Sequence, residues 1–565
     1  MRHPLPLLFV ATALASVSVA CALEDPDAIG QTEQEAYVAV AKRWLDPSNI
    51  PVCWEDAGWT QGKEWVRAYV EDLYETVPDF KVDLRGWGRC TGSSDGIRIK
   101  ISDERSNTNG LGRDLDGDND GMVLNFTFVQ DSAQTCGPTR NTRQFCMGAV
   151  AGHEFAHALG AAHEQNRPDA PGGCDTNQGS SGDTTIGPWD AESITNGLCN
   201  PRWINDGILS RGDITGFGVL YPPPQRIVNV FYRTANGHIQ QVYRSGIWRT
   251  GDVTQWTNAP LATGSPTSHD HKGVLHVYYA SPGTGNIQQL LWTPSQGWRH
   301  AQMSINVPAA GNPASVGIQD YTHVFYRGSD DHLHQLFHDG VQFTPVDLTM
   351  DYGAPLIASD PAVYTMANSV HIAYRAPDNH LIHLAWELDT GWQPTDLTAT
   401  RFVDPMLGTP TVTQLGFIQS IYYLGTDLRI HRMTNDYKSG DAFIHSIPSV
   451  TAPVLASSEP AVHTRGRLIN VFFRGADNTI RESYLDPNNT PPIYVQSNLT
   501  SWAGGPPAAG TPVSIAIGSQ QLVFYTSANG SLQLLTGTST GWSNLSLAAV
   551  AGAPNPTGRV AVAVH

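Results

Sequence analysis

NVFYRTANGHIQQV (229–242) reads as an alternating strand, a tight Asn-Gly turn and a second alternating strand. HVYYASPGTGNIQQL (276–290), HVFYRGSDDHLHQL (323–336), HIAYRAPDNHLIHL (371–384), IYYLGTDLRIHRM (421–433), NVFFRGADNTIRES (470–483) and LVFYTSANGSLQLL (522–535) repeat it. The marker aromatics Tyr232, Tyr279, Tyr326, Tyr374, Tyr423, Phe473 and Tyr525 recur every 47 to 52 residues, the length of one propeller blade. Several units add a Gly-Trp pair: Gly297-Trp298, Gly391-Trp392 and Gly541-Trp542. One hairpin cannot bury its apolar face alone, so seven repeats predict seven blades of antiparallel sheet around a channel. GRVAVAVH (558–565) is one more alternating strand. An unpaired terminal strand leaves an open edge. This strand is therefore expected to complete a blade with the segment from Arg226 to Phe231.

A chain of 565 residues exceeds one hydrophobic core, so at least two domains are expected. Its net charge of −18 repels phosphate backbones and argues against nucleic acid as a partner. MRHPLPLLFVATALASVSVACA, with a basic start, a short apolar run and small residues at its end, predicts a signal peptide over 1–20. The run from Leu5 to Ala20 is too short and interrupted to span a membrane, and no later stretch is apolar enough, so no transmembrane segment is expected. The mature chain is expected to be secreted or extracellular. Cys21 has two readings. Val19-Ala20-Cys21 is similar to the end of a bacterial lipobox, which would make Cys21 a lipid anchor and the chain a cell-surface lipoprotein. Ser18 departs from the aliphatic residue usual in such a box, and cleavage at Ala20 or Ala22 is the ordinary alternative.

The other six cysteines all precede residue 200, and three disulfides are expected, preferably local. Tyr221-Pro222-Pro223-Pro224 marks a break, because three prolines stop a helix and stiffen a connector. The expected organisation is a signal peptide (1–20), an N-terminal segment (21–43), an α+β domain (44–221), a proline linker (222–225) and an all-β propeller (226–565). Within the α+β domain, TQGKEWVRAYVEDLYETV (60–77) has helical periodicity, with Asp56 or Thr60 as its cap. IPVCWE (50–55), FKVDLRGWG (80–88), GIRIKIS (96–102) and MVLNFTFV (122–129) read as strands, and a second helix runs from about Thr142 to Gly160.

That second helix carries HEFAHALGAAHEQNRPD (153–169). His153 and His157 are four apart and share a helix face. Gly160 can take the left-handed turn that brings His163 back as a third ligand. Three histidines suit one Zn2+ with a position left open, and Glu154 stands beside the first ligand as a general base for a metal-bound water. The stretch resembles the metzincin zinc peptidases, closest to the astacin-like branch, whose motif continues with residues matched by Glu164, Arg167 and Asp169. LSRGDITGFGVLYP (209–222) is similar to the segment that closes such domains. The resemblance implies that His153, His157 and His163 bind zinc, that Glu154 is catalytic, and that the chain is a secreted zinc endopeptidase, a hydrolase of protein or peptide substrates. One departure stands against it. In AESITNGLC (191–199), Thr195 replaces a methionine that packs beneath the metal, and Gly197 replaces a tyrosine. The alternative is a non-enzymatic lectin-like adhesin carrying a degenerate metzincin domain.

Two further stretches resemble metal sites. In DLDGDNDGM (114–122), Asp116, Asp118, Asp120 and Gly121 match the start of a calcium loop, but Thr127 stands where a glutamate should close it. A surface turn is the preferred reading, with weak Ca2+ binding the other. HLHQLFH (332–338) places His332, His334 and His338 at repeat positions held mostly by other residue types, and is read as a solvated strand face. The blades resemble those of seven-bladed bacterial and fungal lectins, which implies a glycan ligand.

Overall fold

The computed structural model describes residues 36–565 apart from 130–135, 138, 224–225, 304, 367, 388–389, 441, 448–453, 487–492 and 519. The expected signal peptide, Cys21 and part of the proline linker lie outside the described residues.

From Val228 onward the chain forms seven four-stranded antiparallel sheets. In blades 2 to 7 the first strand of each sheet is innermost, and neighbouring first strands meet around the ring. Blade 1 takes its innermost strand from the chain end: Ala561–Val564 pairs antiparallel with the strand Val228–Arg233, Ala561 opposite Phe231 and Val564 opposite Val228. The expected closure is present, and it leaves the ring without an open edge.

The marker aromatics explain why the repeat is spelled as it is. Their rings are buried between blades, while Tyr232, Tyr279, Tyr374 and Tyr525 donate their hydroxyls to the carbonyls of Pro554, Pro260, Pro355 and Pro506 at 2.6–3.0 Å. Tyrosine thus supplies an apolar body and a polar tip that ties the second strand to the inter-blade connection. Short helices such as Leu348–Tyr352 and Leu397–Arg401 follow the fourth strands, N-capped by Asp347 and Asp396.

Residues before the break form a five-stranded sheet in the order β2-β1-β3-β5-β4, where β1 is Ile50–Trp54, β2 Leu84–Arg89, β3 Ile97–Ile101, β4 Asn107–Thr108 and β5 Met122–Leu124. All pairings are parallel except that of β4 with β5. Helices α1 (Thr60–Glu75) and α2 (Arg140–Ala158) pack against each other, and α3 (Arg211–Leu220) follows. The disulfides are Cys53–Cys90, Cys136–Cys146 and Cys174–Cys199, pairing neighbours in sequence order. Two details differ from expectation. Neither Asp56 nor Thr60 caps α1; the Asp56 carboxylate instead accepts from Ile101 N at 2.7 Å. Strand β5 ends at Leu124, because the Asn125 side chain accepts from the Thr127 and Phe128 amides and turns the chain.

The two parts are packed together. Helix α1 lies against the propeller end formed by the hairpins between first and second strands. Phe417, at the hairpin tip of blade 5, stacks on Tyr69 with centroids 4.1 Å apart and meets Phe145 of α2 edge-on at 5.4 Å. Around it, Arg67 reaches Asp320 at 3.3 Å, Gln319 donates to Glu64 at 2.8 Å, Lys438 pairs with Asp206 at 2.7 Å and Arg467 donates to Asn205. Among the described residues no helix is long and apolar enough to cross a membrane.

Candidate functional site

Helix α2 presents His153 and His157 side by side, with ring centroids 4.7 Å apart. Gly160 adopts φ +102, and the turn returns His163 to 5.4 Å from His153 and 4.3 Å from His157. Each Nδ1 faces a backbone carbonyl: Ile194 O at 2.7 Å, Ala161 O at 2.8 Å and Gln178 O at 3.0 Å respectively. A carbonyl can only accept, so every Nδ1 carries the proton and every Nε2 is a free lone pair. The Nε2 atoms of His153 and His157 are 3.2 Å apart. Burial lowers these imidazoles, His153 to about 4 and His163 to about 3, so all three are neutral at neutral pH. Neutral, converging imidazoles with fixed tautomers fit a zinc ion. Glu154 sits beside them, and burial pushes its carboxyl up to about 8.

Glu164, Arg167 and Asp169 play structural parts. Arg167 bonds both Asp169 oxygens at 2.8 Å and the Ala36 carbonyl at 2.9 Å, and Glu164 accepts from Asp190 N at 2.9 Å. Beneath the histidines, Thr195 does not leave a slack floor. Its hydroxyl contacts Ser193 Oγ at 2.9 Å, Ser193 donates to Asp213, and Asp213 accepts from Ile194 N at 2.8 Å, the residue whose carbonyl holds His153. Asp213 also completes the capping box of α3 with Ser210. This polar network fixes the segment whose Ile194 carbonyl accepts from His153. Gly197 N donates to Gln165 Oε1 at 3.3 Å.

The carboxylates of 114–122 are tied to separate protein groups: Asp116 accepts from Gly96 N, Asp118 from Asn109 and Asp120 pairs with Lys100 at 3.0 Å. That is the turn expected from the sequence. The strand-face reading of 332–338 is corrected in one respect: His334 is buried and stacks on Tyr326, because it faces the blade core.

A second site lies between blades 4 and 5, beneath the first turn of α2. A cavity of about 240 Å3 is lined by His371, His383, Gln419, Asn435, Phe443 and Asn141 among others. The Tyr364 hydroxyl donates to Gln419 Oε1 and lies 3.3 Å from His383 Nε2. With its proton directed at Gln419, the Tyr364 oxygen accepts from His383 Nε2–H. His371 Nδ1, 3.2 Å from that same Nε2, is then the acceptor, and the His371 proton resides on Nε2. Among the described residues that nitrogen has no partner although His371 is only 1% exposed, and Asn435 Oδ1 likewise has none. A buried donor and a buried acceptor of this kind are costly unless something occupies the cavity. None of these residues stood out as a ligand group in the sequence. The signal was the repeat itself, since a polar pair twelve residues apart recurs in the blade interiors: Asn229–Gln241, His323–Gln335, His371–His383 and Asn470–Glu482.

No protein-family model matches this chain, and no curated protein sequence does. Solved structures that resemble it include the BP39L lectin from Burkholderia pseudomallei (15% identity, TM-score 0.45, covering 57% of this chain and 95% of that one). The six-bladed lectin of Aleuria aurantia, described with a fucose recognition mode, matches at 16% identity and TM-score 0.35, covering 52% of this chain and 95% of its own. AofleA from Arthrobotrys oligospora matches at 13% and 0.36, covering 53% and 88%. Each of these three is a propeller described as a lectin or matched alongside lectins. The expectation of a zinc endopeptidase, with its hydrolase chemistry and its peptide substrate, is therefore corrected, and the binding alternative is carried forward. The physical reason is that a ligand-and-base motif specifies what can hold a metal, not what turns over on it.

Proposed function

We propose that this protein is a non-enzymatic, lectin-like binding protein whose propeller takes one sugar unit of a glycan. The observation that carries the reading is the cavity between blades 4 and 5, with the unpartnered His371 Nε2 donor and Asn435 Oδ1 acceptor in its wall. Burial keeps His371 and His383 neutral, which suits an uncharged ligand. A sugar hydroxyl both donates and accepts, so adjacent hydroxyls answer both groups, while Phe443 offers an apolar face. At about 240 Å3 the space is below the roughly 300–1,000 Å3 of drug-sized pockets, and it matches a single ring. Fucosides, the sugars named for the similar lectins, head the ligands to be tried.

The region before residue 222 reads as a degenerate metzincin-type domain in which His153, His157 and His163 hold one zinc ion. Zinc would supply a Lewis-acid centre and a structural clamp between α2 and the turn after it. The chain's own residues orient the imidazoles through Ile194, Ala161 and Gln178. An exported location follows from the leader-like segment 1–20.

Binding of the full-length protein to a glycan array, followed by titration with free monosaccharides, tests the reading. Asn435→Leu, which deletes the acceptor, should weaken binding roughly tenfold, the effect of one lost hydrogen bond. Failure to bind any glycan would overturn the proposal.

A further inference from the structure

Blade 3 gathers Asp330, His332, His334 and Asp347, whose ligand atoms all lie within 4.8 Å of one another. His332 and His334 are two apart and point the same way. Asp330 stands in the turn before them, and Asp347 closes the fourth strand. His332 Nδ1 is 2.9 Å from Asp347 and 3.8 Å from Asp330, and His334 Nε2 is 3.1 Å from Asp330. Four donors held tetrahedrally at about 2.0–2.2 Å from an ion would be separated by roughly 3.3 Å, so the observed contacts bracket the spacing needed.

The other blades serve as controls within the same chain. A histidine-to-aspartate contact recurs in blade 1 (His238–Asp252, 2.6 Å) and blade 4 (His380–Asp396, 2.7 Å), so His332–Asp347 alone is an architectural tie. What blade 3 adds is His334, the cross-strand partner of Tyr326. The residues paired with the marker aromatic elsewhere are Gln240, Gln288, Ile382, His431, Arg481 and Gln533. In blade 5, His431 meets Asp427 and Asp404, but Arg429 takes the place of the second histidine. Only blade 3 combines two histidines with two carboxylates at these positions.

A second, independent feature marks the same place. The hydroxyls of Tyr232, Tyr279, Tyr374, Tyr423 and Tyr525 all reach a backbone carbonyl, whereas the Tyr326 hydroxyl has no partner among the described residues although the residue is fully buried. Its ring stacks on His334 at 5.3 Å. In blade 5 the equivalent Tyr423 hydroxyl bonds the carbonyl of Asp404, whose carboxylate is 3.9 Å from His431, which places this hydroxyl position beside the histidine–aspartate cluster. A spare buried donor there can hold a carboxylate oxygen that turns from histidine toward an ion.

We propose that Asp330, His332, His334 and Asp347 form a binding site for one divalent transition-metal ion of the zinc class. An ion here would clamp the turn of blade 3 to the start of the helix Leu348–Tyr352. Histidine nitrogens with carboxylate oxygens favour zinc or cobalt over magnesium or calcium, which prefer oxygen alone.

Cobalt(II) titration of the full-length protein, followed by visible absorption and by bound metal after desalting, tests this. His334→Gln installs the residue found in blades 1, 2 and 7, and Asp347→Asn retains a helix cap of the kind that Asn498 provides in blade 6, so both substitutions suit the fold. Wild type should hold one more equivalent of cobalt than either variant and show a stronger tetrahedral band, with the unfolding temperatures in EDTA unchanged. Equal stoichiometry and equal spectra in all three proteins would overturn the assignment.

Discussion

Phe417→Ala should uncouple the N-terminal part from the propeller. Phe417 is 2% exposed and is enclosed largely by groups from across the interface, Tyr69 stacked at 4.1 Å and Phe145 edge-on at 5.4 Å. It sits at a hairpin tip, so its truncation falls on docking more than on the blade core. Removing a buried phenylalanine costs about 3–5 kcal/mol, which is roughly two to three and a half decades in a docking equilibrium. Gly148→Ala attacks the same contact from the other side, because a Cβ there would lie 2.2 Å from the Phe417 ring and 3.1 Å from Tyr69. Differential scanning calorimetry reads the outcome. Wild type should unfold cooperatively, and both variants should split into two transitions. A single transition within about 2 °C of wild type in both would refute the reasoning, since a lost contact of a few kcal/mol moves Tm by more than that.

Zinc should stabilise the N-terminal part by about 2.7 kcal/mol at a free concentration one hundred times Kd. Thermal melts with and without chelator should show this rise in wild type and in His334→Gln, and His157→Gln should abolish it. Asp72, beneath the propeller and hydrogen-bonded by Gln414, has its carboxyl pushed up to about 7 by desolvation. A raised folded value means that the group's stabilising effect is complete below pH 4 and is lost as pH rises to about 7. Asp72→Asn should therefore gain stability relative to wild type across that window and hold the gain above it. Urea melts at stepped pH check this, and a gain that appears only on acidification would rule it out.

The propeller was legible because its signal is repeated. Tyr279 or Tyr374 alone says little, but a ring with a polar tip recurring every 47 to 52 residues reports a fixed place between blades. The closing strand was legible for a different reason: alternation at the chain end matched the edge that the first blade would otherwise expose. In the N-terminal part, periodicity found both long helices, while side-chain chemistry decided the ends. Asn125 stops β5 by taking two amides, and Asp56 serves Ile101 in place of α1, neither of which is visible in a hydropathy pattern. The histidine set was legible because i, i+4 and a glycine turn are local geometry. The groups that aim it, Ile194, Ala161 and Gln178, act through backbone carbonyls and leave no trace in residue type.

Where function departs from architecture, the repeats supply the contrast. A polar pair twelve residues apart is joined by a hydrogen bond within blade 1, between Asn229 and Gln241, and within blade 6, between Asn470 and Glu482. In blade 4 the pair is two histidines, and two imidazoles facing each other satisfy one nitrogen apiece, leaving His371 Nε2 over. The same logic holds in blade 3, where replacing the usual glutamine by His334 coincides with an unpartnered Tyr326 hydroxyl. A buried orphan costs about 1–3 kcal/mol in every folded molecule, and blades 2 and 6 carry them too, at His269 Nε2 and His463 Nδ1. In blades 4 and 3 the orphans lie in a cavity wall and beside a cluster of four ligand atoms, where a sugar hydroxyl and a metal ion respectively would have something to contribute.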